Sequence, residues 1–306
     1  MKIDKRAAIA LALALTVATA PLAAQNAAPP SEQQLAATAK SLKPQHGRIP
    51  LPEARATLDL GNAYDFYSPE DARTILVDLW GNPPASAEGV LGMVMQAGKS
   101  PLEDNWGAVI TYDPSGYVAD DDAASVDYAE LLEQMRSDES AVNERRKGEG
   151  YPALHLTGWA EQPNYDKADH SVVWAQEIEF EGSPVHTLNY DVRSLGRGGV
   201  LSLNLISGMN HLAEVKAAAH EFASHASFDP GARYADFDPS LDKKAEYGIG
   251  GLVAAGVGVA VAKKLGIFAI LLKFLKPLLI AVVAGFAVLK NRIMGLFGRN
   301  KDPLEG

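Results

Sequence analysis

The stretch HSVVWAQEIEFEGSPVHTLNYDVRSLGRGGVLSLNLIS, residues 170–207, contains three runs in which apolar and polar side chains alternate. The runs are His170–Glu181, Val185–Gly196 and Gly199–Ser207, and short segments that contain glycine separate them. A fourth run of the same kind, Ala153–Gln162, precedes them. Alternation with a period of two is typical of β-strands, and such short turns connect antiparallel neighbours. The stretch therefore predicts an antiparallel meander of four strands.

Other parts of the chain add strands and helices to this meander. Val90–Gln96 and Trp106–Tyr112 are apolar enough to be central strands. Helices are predicted over 68–84, 126–146 and 209–228. The first of these helices starts with a serine N-cap followed by a proline, the residue types favoured at those positions. The order of elements predicts an α+β fold, an antiparallel sheet with flanking helices, followed by a C-terminal transmembrane helix or helices.

The composition limits the sources of stability and the kinds of chemistry. The chain has 306 residues, of which 47% are hydrophobic, so it can form one sizeable core or two small ones. It has no cysteine, so stability comes from packing and not from a disulfide framework. Cysteine nucleophiles and zinc-thiolate sites are excluded for the same reason.

The N-terminal segment has the three parts of a secretory signal. Residues 1–24 begin with basic side chains, continue through the apolar run Ala7–Ala20 and end in small residues, with cleavage expected after Ala24. Residues 25–47 are polar and alanine-rich and are predicted to be a linker, with a loose helix over residues 27–43 as the alternative. We therefore expect the domain formed by residues 48–247 to be exported.

The C-terminal segment, residues 248–306, is apolar and basic and is predicted to be a membrane anchor with a basic cytoplasmic tail. Leu265–Leu289 is the best candidate for a single span, and a two-span hairpin is the alternative. Lys273 and Lys276 lie within that span on one helical face, which suits a helix bundle or a wet groove. Basic residues after the span favour a cytoplasmic C-terminus. The predicted location is the inner membrane, with the main domain in the periplasm.

The predicted partners follow from the anchor and from charge. The anchor contacts membrane lipid, and small residues at helical spacing suit a homo-oligomer or a protein partner. These residues are Gly250, Ala254, Gly258 and Ala262. The alternative is that these small residues only make a flexible helix next to the membrane. Residues 25–247 contain 17 basic and 35 acidic residues, a net charge of −18, so nucleic acid is excluded as a partner.

Three aspartates are weak candidates for a metal or catalytic site. Asp113, Asp120 and Asp122 fall within one acidic stretch, but they do not follow the spacing of a calcium loop. The alternative is that the acids precede a helix whose N-cap is Asp127, since negative charge is favourable at a helix N-terminus.

Other catalytic motifs are missing from the sequence. The segment HEFASH places His220 and His225 five residues apart, about 140° around a helix, and so does not reproduce the zinc motif HExxH. There is no GxSxG nucleophile motif and no phosphate-binding GxxxxGK[ST] loop. No cofactor is predicted.

Several blocks of the sequence resemble a known family. They include LWGNPP (79–84), GWAEQPNYD (158–166), NYDVRSLGRGGVLSLN (189–204) and AEYGIGGLVAAG (245–256). In these blocks the chain resembles the predicted membrane-anchored bacterial proteins of domain-of-unknown-function family 2167. The resemblance implies an exported domain with a C-terminal anchor and supplies no activity. By analogy of element order alone, the fold is expected to be similar to the small PsbP/Mog1-type antiparallel sheet with flanking helices.

Four residues of these blocks have two interpretations. As a binding site, Trp159, Tyr165, Asp166 and Arg193 would line a cleft for a polar ligand. As structural residues, the first three would close a corner of the sheet and Arg193 or Arg197 would pair with a nearby acid. The favoured function is a non-enzymatic, membrane-anchored envelope protein with a binding domain outside the cytoplasm. The alternative is a membrane-tethered hydrolase that depends on carboxylates or a metal.

Overall fold

A computed structural model describes residues 30–255 of the chain. Its strands are β1 (Arg48–Leu51), β2 (Ala56–Asp59), β3 (Tyr64–Tyr67), β4 (Val90–Gln96), β5 (Gly107–Asp113), β6 (Tyr117–Ala119), β7 (Leu154–Asp166), β8 (Ser171–Phe180), β9 (Thr187–Leu195), β10 (Val200–Gly208), β11 (Ala226–Phe228) and β12 (Lys244–Gly248). Its α-helices are α1 (Glu32–Ser41), α2 (Pro69–Arg73), α3 (Tyr128–Ser137), α4 (Glu139–Gly148), α5 (Leu212–His225) and α6 (Ile249–Ala254). A π-helical segment continues α2, and four short 3-10 turns occur at Pro52–Ala54, Pro84–Ala87, Met209–His211 and Tyr234–Asp236.

The main sheet is antiparallel and has seven strands in the spatial order β3-β4-β5-β10-β9-β8-β7. The predicted meander is confirmed, because β7, β8, β9 and β10 are neighbours in chain order. The register places Trp174 of β8 opposite Asp191 of β9, which in turn lies opposite Asn204 of β10. The two predicted central strands are β4 and β5, and β5 extends the sheet by pairing with β10. The predicted α+β class is confirmed.

Both faces of the main sheet are covered. On one face α5 and the small sheet β1-β2-β11 bury the largest apolar cluster, which contains Leu58, Trp106, Tyr190 and Phe222. On the other face α3 and α6 cover the β7–β8 side of the sheet, and α2 with its π-helical continuation covers the β3–β4 side. Strands buried on both faces can place polar side chains only where a partner is available.

The start of α2 is the one that the sequence predicts. The Ser68 side chain accepts a hydrogen bond from the Asp71 amide at 3.2 Å, and Pro69 occupies the first helical position. The helix continues as the π-helical segment Thr74–Leu79, and the chain turns at Gly81, whose φ of +70° suits glycine.

The segment predicted as one helix over 126–146 is two helices, α3 and α4, with Asp138 between them. The break lets α4 face the outer edge of β7. Asn143 hydrogen-bonds both the amide and the carbonyl of Leu154, and Glu139 accepts from the Leu156 amide at 2.7 Å. These contacts depend on tertiary structure and leave no periodic signal in the helix sequence.

The described residues also extend into the predicted linker and the predicted anchor. Helix α1 lies in the linker segment, where Ser31 and Gln34 form a capping box. At the other end, Gly248–Ala254 completes β12 and forms α6. Among the helices within residues 30–255, none combines the length and the hydropathy that a membrane span requires. The predicted signal peptide and the predicted span Leu265–Leu289 lie outside the described residues, as do Gly258 and Ala262.

Replacing Arg193 by alanine should strongly destabilise the fold. Arg193 and Asp191 are 6% and 0% exposed, and the guanidinium donates to one carboxylate oxygen of Asp191 from two nitrogens, at 2.8 and 3.1 Å. Removing one partner of a buried pair leaves an uncompensated charge and costs about 3–5 kcal/mol. Urea denaturation of the purified full chain measures the loss. Replacing both residues together, Asp191→Leu with Arg193→Met, should cost much less. The matched control is Arg73→Ala, because Arg73 is exposed. An unchanged midpoint in Arg193→Ala would contradict the structural role.

His211 should stabilise the fold more at low pH than at high pH. Partial burial alone would lower the pKa of His211, but hydrogen bonds with Asp104 and Glu214 raise it above its ordinary value. The stabilisation is therefore fully present below the unfolded-state pKa and is lost as pH rises through the folded-state pKa. Thermal unfolding from about pH 5 to about pH 8 should show the wild type most stable relative to His211→Gln at the acid end. Exposed His220, replaced in the same way, is the control and should show no such trend.

Candidate functional site

The acidic loop after β6 meets the point where β12 passes into α6. Strands β6 and β12 pair in parallel, with Tyr117 opposite Lys244 and Ala119 opposite Gly248. These two segments are far apart in the sequence, and the second lies in the block AEYGIGGLVAAG that carries the family resemblance. Their pairing brings the acidic loop against the last described helix.

Asp122 caps α6 from the acidic loop. Its Oδ1 accepts from the Ile249 amide at 2.8 Å, and its Oδ2 accepts from the Gly250 amide at 3.0 Å. The first amides of a helix have no partner within the helix, and a negative charge there is favourable. A Cβ on Gly248 would lie 2.4 Å from Asp122 Oδ1, so the close approach of the carboxylate requires glycine.

Asp113 binds Tyr247, the residue immediately before Gly248. The Tyr247 hydroxyl donates to Asp113 Oδ2 at 2.8 Å and lies 2.8 Å from Ser115 Oγ. Burial and the neighbouring Asp113 carboxylate raise the pKa of Tyr247 well above its ordinary value, so the hydroxyl stays protonated and able to donate. We call Asp113, Asp122, Tyr247 and Gly248 the junction clamp.

Apolar packing completes the junction. Ile249, Leu252 and Val253 of α6 are at most 2% exposed and pack in the same cluster as Val118 and Trp174. Hence the beginning of the predicted anchor is part of the domain core. Gly250 of the small-residue stripe faces Val126 and Asp122 within the domain. The oligomer predicted from that stripe stays a prediction.

Asp120, the third of the candidate aspartates, binds a residue of β7. The Tyr165 hydroxyl donates to Asp120 Oδ2 at 2.8 Å and lies 3.3 Å from His170 Nδ1. Burial and the Asp120 hydrogen bond raise the pKa of Tyr165. His170 in turn stacks on Tyr234, with ring centroids 4.2 Å apart. A cavity of about 540 Å³ lies beside this network and is lined in part by Asp120, Asp121 and Tyr165.

The three candidate aspartates therefore do not converge on a shared metal site, because each binds a different partner. Asp113 binds a tyrosine of β12, Asp120 binds a tyrosine of β7, and Asp122 binds two backbone amides. Within residues 30–255 no group of three histidine, aspartate or glutamate side chains could hold a metal ion. The predicted N-cap of α3 is confirmed, since Asp127 accepts from the amides of Ala129 and Glu130 at 3.0 Å.

The four predicted binding residues have structural partners. Trp159 Nε1 donates to the Tyr128 carbonyl at 3.0 Å and joins β7 to α3. Asp166 Oδ1 accepts from the Ala168 amide at 2.7 Å in the β7–β8 turn. Tyr165 binds Asp120, and Arg193 binds Asp191. These contacts match the structural interpretation, and the binding role stays a prediction.

The sequence did not single out the role of Asp122 or the polar side chains of the sheet interior. The partners of Asp122 lie 127 and 128 residues away, so no local motif identifies them. Gln176, Asp191 and Ser202 are buried in the middle of the main sheet. The sequence could have identified these three residues, because each is a polar residue within a strongly apolar strand.

Comparisons with known proteins place the chain within a family without an assigned activity. The model of a family described as "Protein of unknown function (DUF2167)" matches residues 43–287. No curated protein matches the chain.

Two solved structures are similar to part of the chain. The solution structure of the cyanobacterial PsbP, CyanoP, from Synechocystis sp. PCC 6803 is 11% identical, with 60% of this chain and 91% of that chain covered and a TM-score of 0.35. A protein of unknown function from Pseudomonas aeruginosa, PA94, is 14% identical, with 58% and 93% covered and a TM-score of 0.22. At such low TM-scores neither likeness carries an argument about fold or function.

Replacing Asp122 by alanine should loosen α6. The variant loses both hydrogen bonds to the first amides of the helix, and loss of a cap of this kind costs about 0.5–2 kcal/mol. Urea denaturation of the full chain measures the cost, and hydrogen exchange at the Ile249 and Gly250 amides should become faster. Asp121→Ala is the matched control, because Asp121 is the exposed neighbour of Asp122. Equal exchange rates in the two variants would refute the cap.

Proposed function

We propose, on the premise that this chain belongs to the DUF2167 family of proteins of unknown function, that it is a membrane-anchored envelope protein whose acidic domain binds a partner outside the cytoplasm. The observation that carries the proposal is the junction clamp. Contacts with the domain fix residues 247–250, where the long apolar and basic segment begins. A folded domain that ends in this way is suited to display at a membrane surface.

The two ends of the sequence support the same arrangement. Residues 1–24 have the pattern of a secretory signal, and residues 248–306 combine apolar runs with eight basic and two acidic residues. An exported domain followed by a span and a basic tail implies a periplasmic domain and a cytoplasmic C-terminus.

Charge indicates the kind of partner. The net charge of −18 over residues 25–247 favours a partner with a cationic surface, since complementary potentials speed association and raise specificity. Binding of this kind should weaken as salt concentration rises. For the hydrolase alternative, the contacts of Asp113, Asp120 and Asp122 supply no supporting observation, because each carboxylate binds a different structural group.

Reporter fusions test the proposed orientation. Alkaline phosphatase, which is active only after export, should be active when fused after residue 255 and inactive when fused after residue 306. A fluorescent protein that folds only in the cytoplasm should give the opposite pattern at the same two positions. Sequencing of the mature N-terminus should begin at Gln25.

Deletion of residues 2–24 is the control for export and should abolish phosphatase activity at the first fusion point. An active phosphatase after residue 306 would contradict the cytoplasmic C-terminus and the single span, and would favour the two-span hairpin. Inactive phosphatase at both positions, with the domain recovered from the cytosol, would refute the proposed function.

A further inference from the structure

A cavity of about 300 Å³ lies where the small sheet meets one end of the main sheet. Its polar and charged lining consists of Arg55, Tyr112, Arg197 and Asp242. Arg55 lies between β1 and β2, Tyr112 belongs to β5, and Arg197 lies in the turn between β9 and β10. Cavities of this volume are at the lower end of those that hold small ligands in proteins. We call this cavity the arginine pocket.

The charge of Arg197 is neutralised within the protein. Its Nε donates to Asp242 Oδ2 at 2.7 Å, and its Nη2 donates to Asp242 Oδ1 at 3.0 Å. Asp242 Oδ2 also accepts from the Asp238 amide at 2.7 Å. Two further carboxylates near Arg197, those of Asp236 and Asp238, accept hydrogen bonds within their own loop. The Arg197–Asp242 pair therefore forms a neutral wall of the pocket.

The charge of Arg55 is not neutralised in this way. Arg193 and Arg197 bind carboxylates, whereas no ion pair or side-chain hydrogen bond of Arg55 is found in the described part of the chain. Two arginines and one aspartate line the pocket, which gives a net charge of +1. The domain as a whole is strongly acidic, with a net charge of −18 over residues 25–247. The pocket is thus a positively charged recess that favours an anion.

The backbone of Arg55 is strained and is held in place. Its φ of 49° and ψ of 48° are left-handed values, which favour glycine over a residue with a Cβ. Its amide donates to the Pro52 carbonyl at 3.1 Å, and its carbonyl accepts from the Asp229 amide at 2.8 Å. A Cβ on Gly231 would lie 3.4 Å from Arg55 Nη2, so the guanidinium lies close to the backbone of Gly231. Strain of this kind is typical of functional residues, and it points to a role for the Arg55 side chain.

The Tyr112 hydroxyl supplies a second donor to the pocket. A Cβ on Gly199 would lie 2.8 Å from this hydroxyl, so glycine in the turn permits its close approach. Burial and the Asp113 charge raise the pKa of Tyr112, although the charge of Arg55 opposes the increase. The hydroxyl therefore stays protonated at neutral pH. No hydrogen bond of this hydroxyl to another described residue is found, so it is available to donate to a ligand.

We propose that the arginine pocket binds the carboxylate group of a small molecule or of a peptide C-terminus. The Arg55 guanidinium would donate to both carboxylate oxygens, because its planar fork matches a carboxylate, and Tyr112 would donate to one of them. A carboxylate has the single negative charge that balances Arg55. A phosphate dianion would add uncompensated negative charge to an already acidic domain. The proposal depends neither on the membrane anchor nor on a cationic partner.

Isothermal titration calorimetry tests the proposal with the full chain in a non-ionic detergent at constant ionic strength. The probes are acetate, triglycine, triglycine amide and inorganic phosphate. Acetate and triglycine should bind saturably, with a dissociation constant on the order of 1 mM for acetate. Triglycine amide, which lacks the carboxylate, should bind at least tenfold more weakly than triglycine. Tighter binding of triglycine than of acetate would support a peptide C-terminus, and equal binding would support a small carboxylate.

Variants separate loss of binding from loss of folding. Arg55→Gln should weaken acetate binding at least tenfold, and Tyr112→Phe should weaken it at least threefold. The matched control is Arg48→Gln, at an exposed position of the same small sheet, which should leave binding unchanged. Arg55→Gly should abolish binding and yet keep or raise the midpoint of thermal unfolding, because glycine relieves the left-handed strain.

Three results would overturn the proposal. The first is the absence of saturable binding for both acetate and triglycine. The second is phosphate binding at least tenfold tighter than acetate binding, which would contradict the preference for a single negative charge. The third is a clear fall in the unfolding midpoint of Arg55→Gly, since the Arg55 side chain would then stabilise the fold itself.

Discussion

The main sheet is buried on both faces, and this constraint decides where polar side chains can lie. A strand covered on one side only can place polar residues toward solvent at every second position. Here α5 and the small sheet cover one face and three helices cover the other. A polar residue in the buried middle of β8 or β9 must therefore pair inside the protein, as Arg193 does with Asp191, or remain unpartnered among the described residues, as Gln176 does.

Backbone groups at the edges of the main sheet also need hydrogen-bond partners. Along Leu154–Thr157 of β7, side chains of α3 and α4 take the place of a neighbouring strand. Arg136 donates to the Leu156 carbonyl at 3.0 Å, and Glu139 and Asn143 satisfy amides and a carbonyl of the same segment. At the opposite edge, Gln45 pairs with Phe66 through both backbone groups. Edge positions closed in this way resist addition of a further strand. A partner of the kind proposed above would then bind through side-chain surfaces, where the acidic character of the domain matters most.

The sequence predicts those features whose cause is local. The alternation of β8, β9 and β10 reflects the pleat itself, and the start of α2 reflects the chemistry of Ser68 and Pro69, so both are found from short windows. Features caused by distant contacts are missed. The break at Asp138 depends on the edge of β7, and the role of Asp122 depends on amides 127 residues later. The acidic stretch was correctly associated with a helix N-terminus, but Asp122 caps α6 and only Asp127 caps α3.

The junction clamp also determines how the domain is connected to the residues that follow it. A polar linker would let the domain rotate freely, because such linkers behave as flexible chains. Here Tyr247 is fixed through its hydroxyl, Gly250 through its amide, and Leu252 through burial in the core. Because all three constraints act within one short segment, α6 has a single direction relative to the main sheet. If the following segment enters a membrane, the acidic loop and the β7–β8 turn lie on the side of the domain near the exit of the chain. The opposite face, formed by α5 and the small sheet, is then the surface best placed to meet a soluble partner.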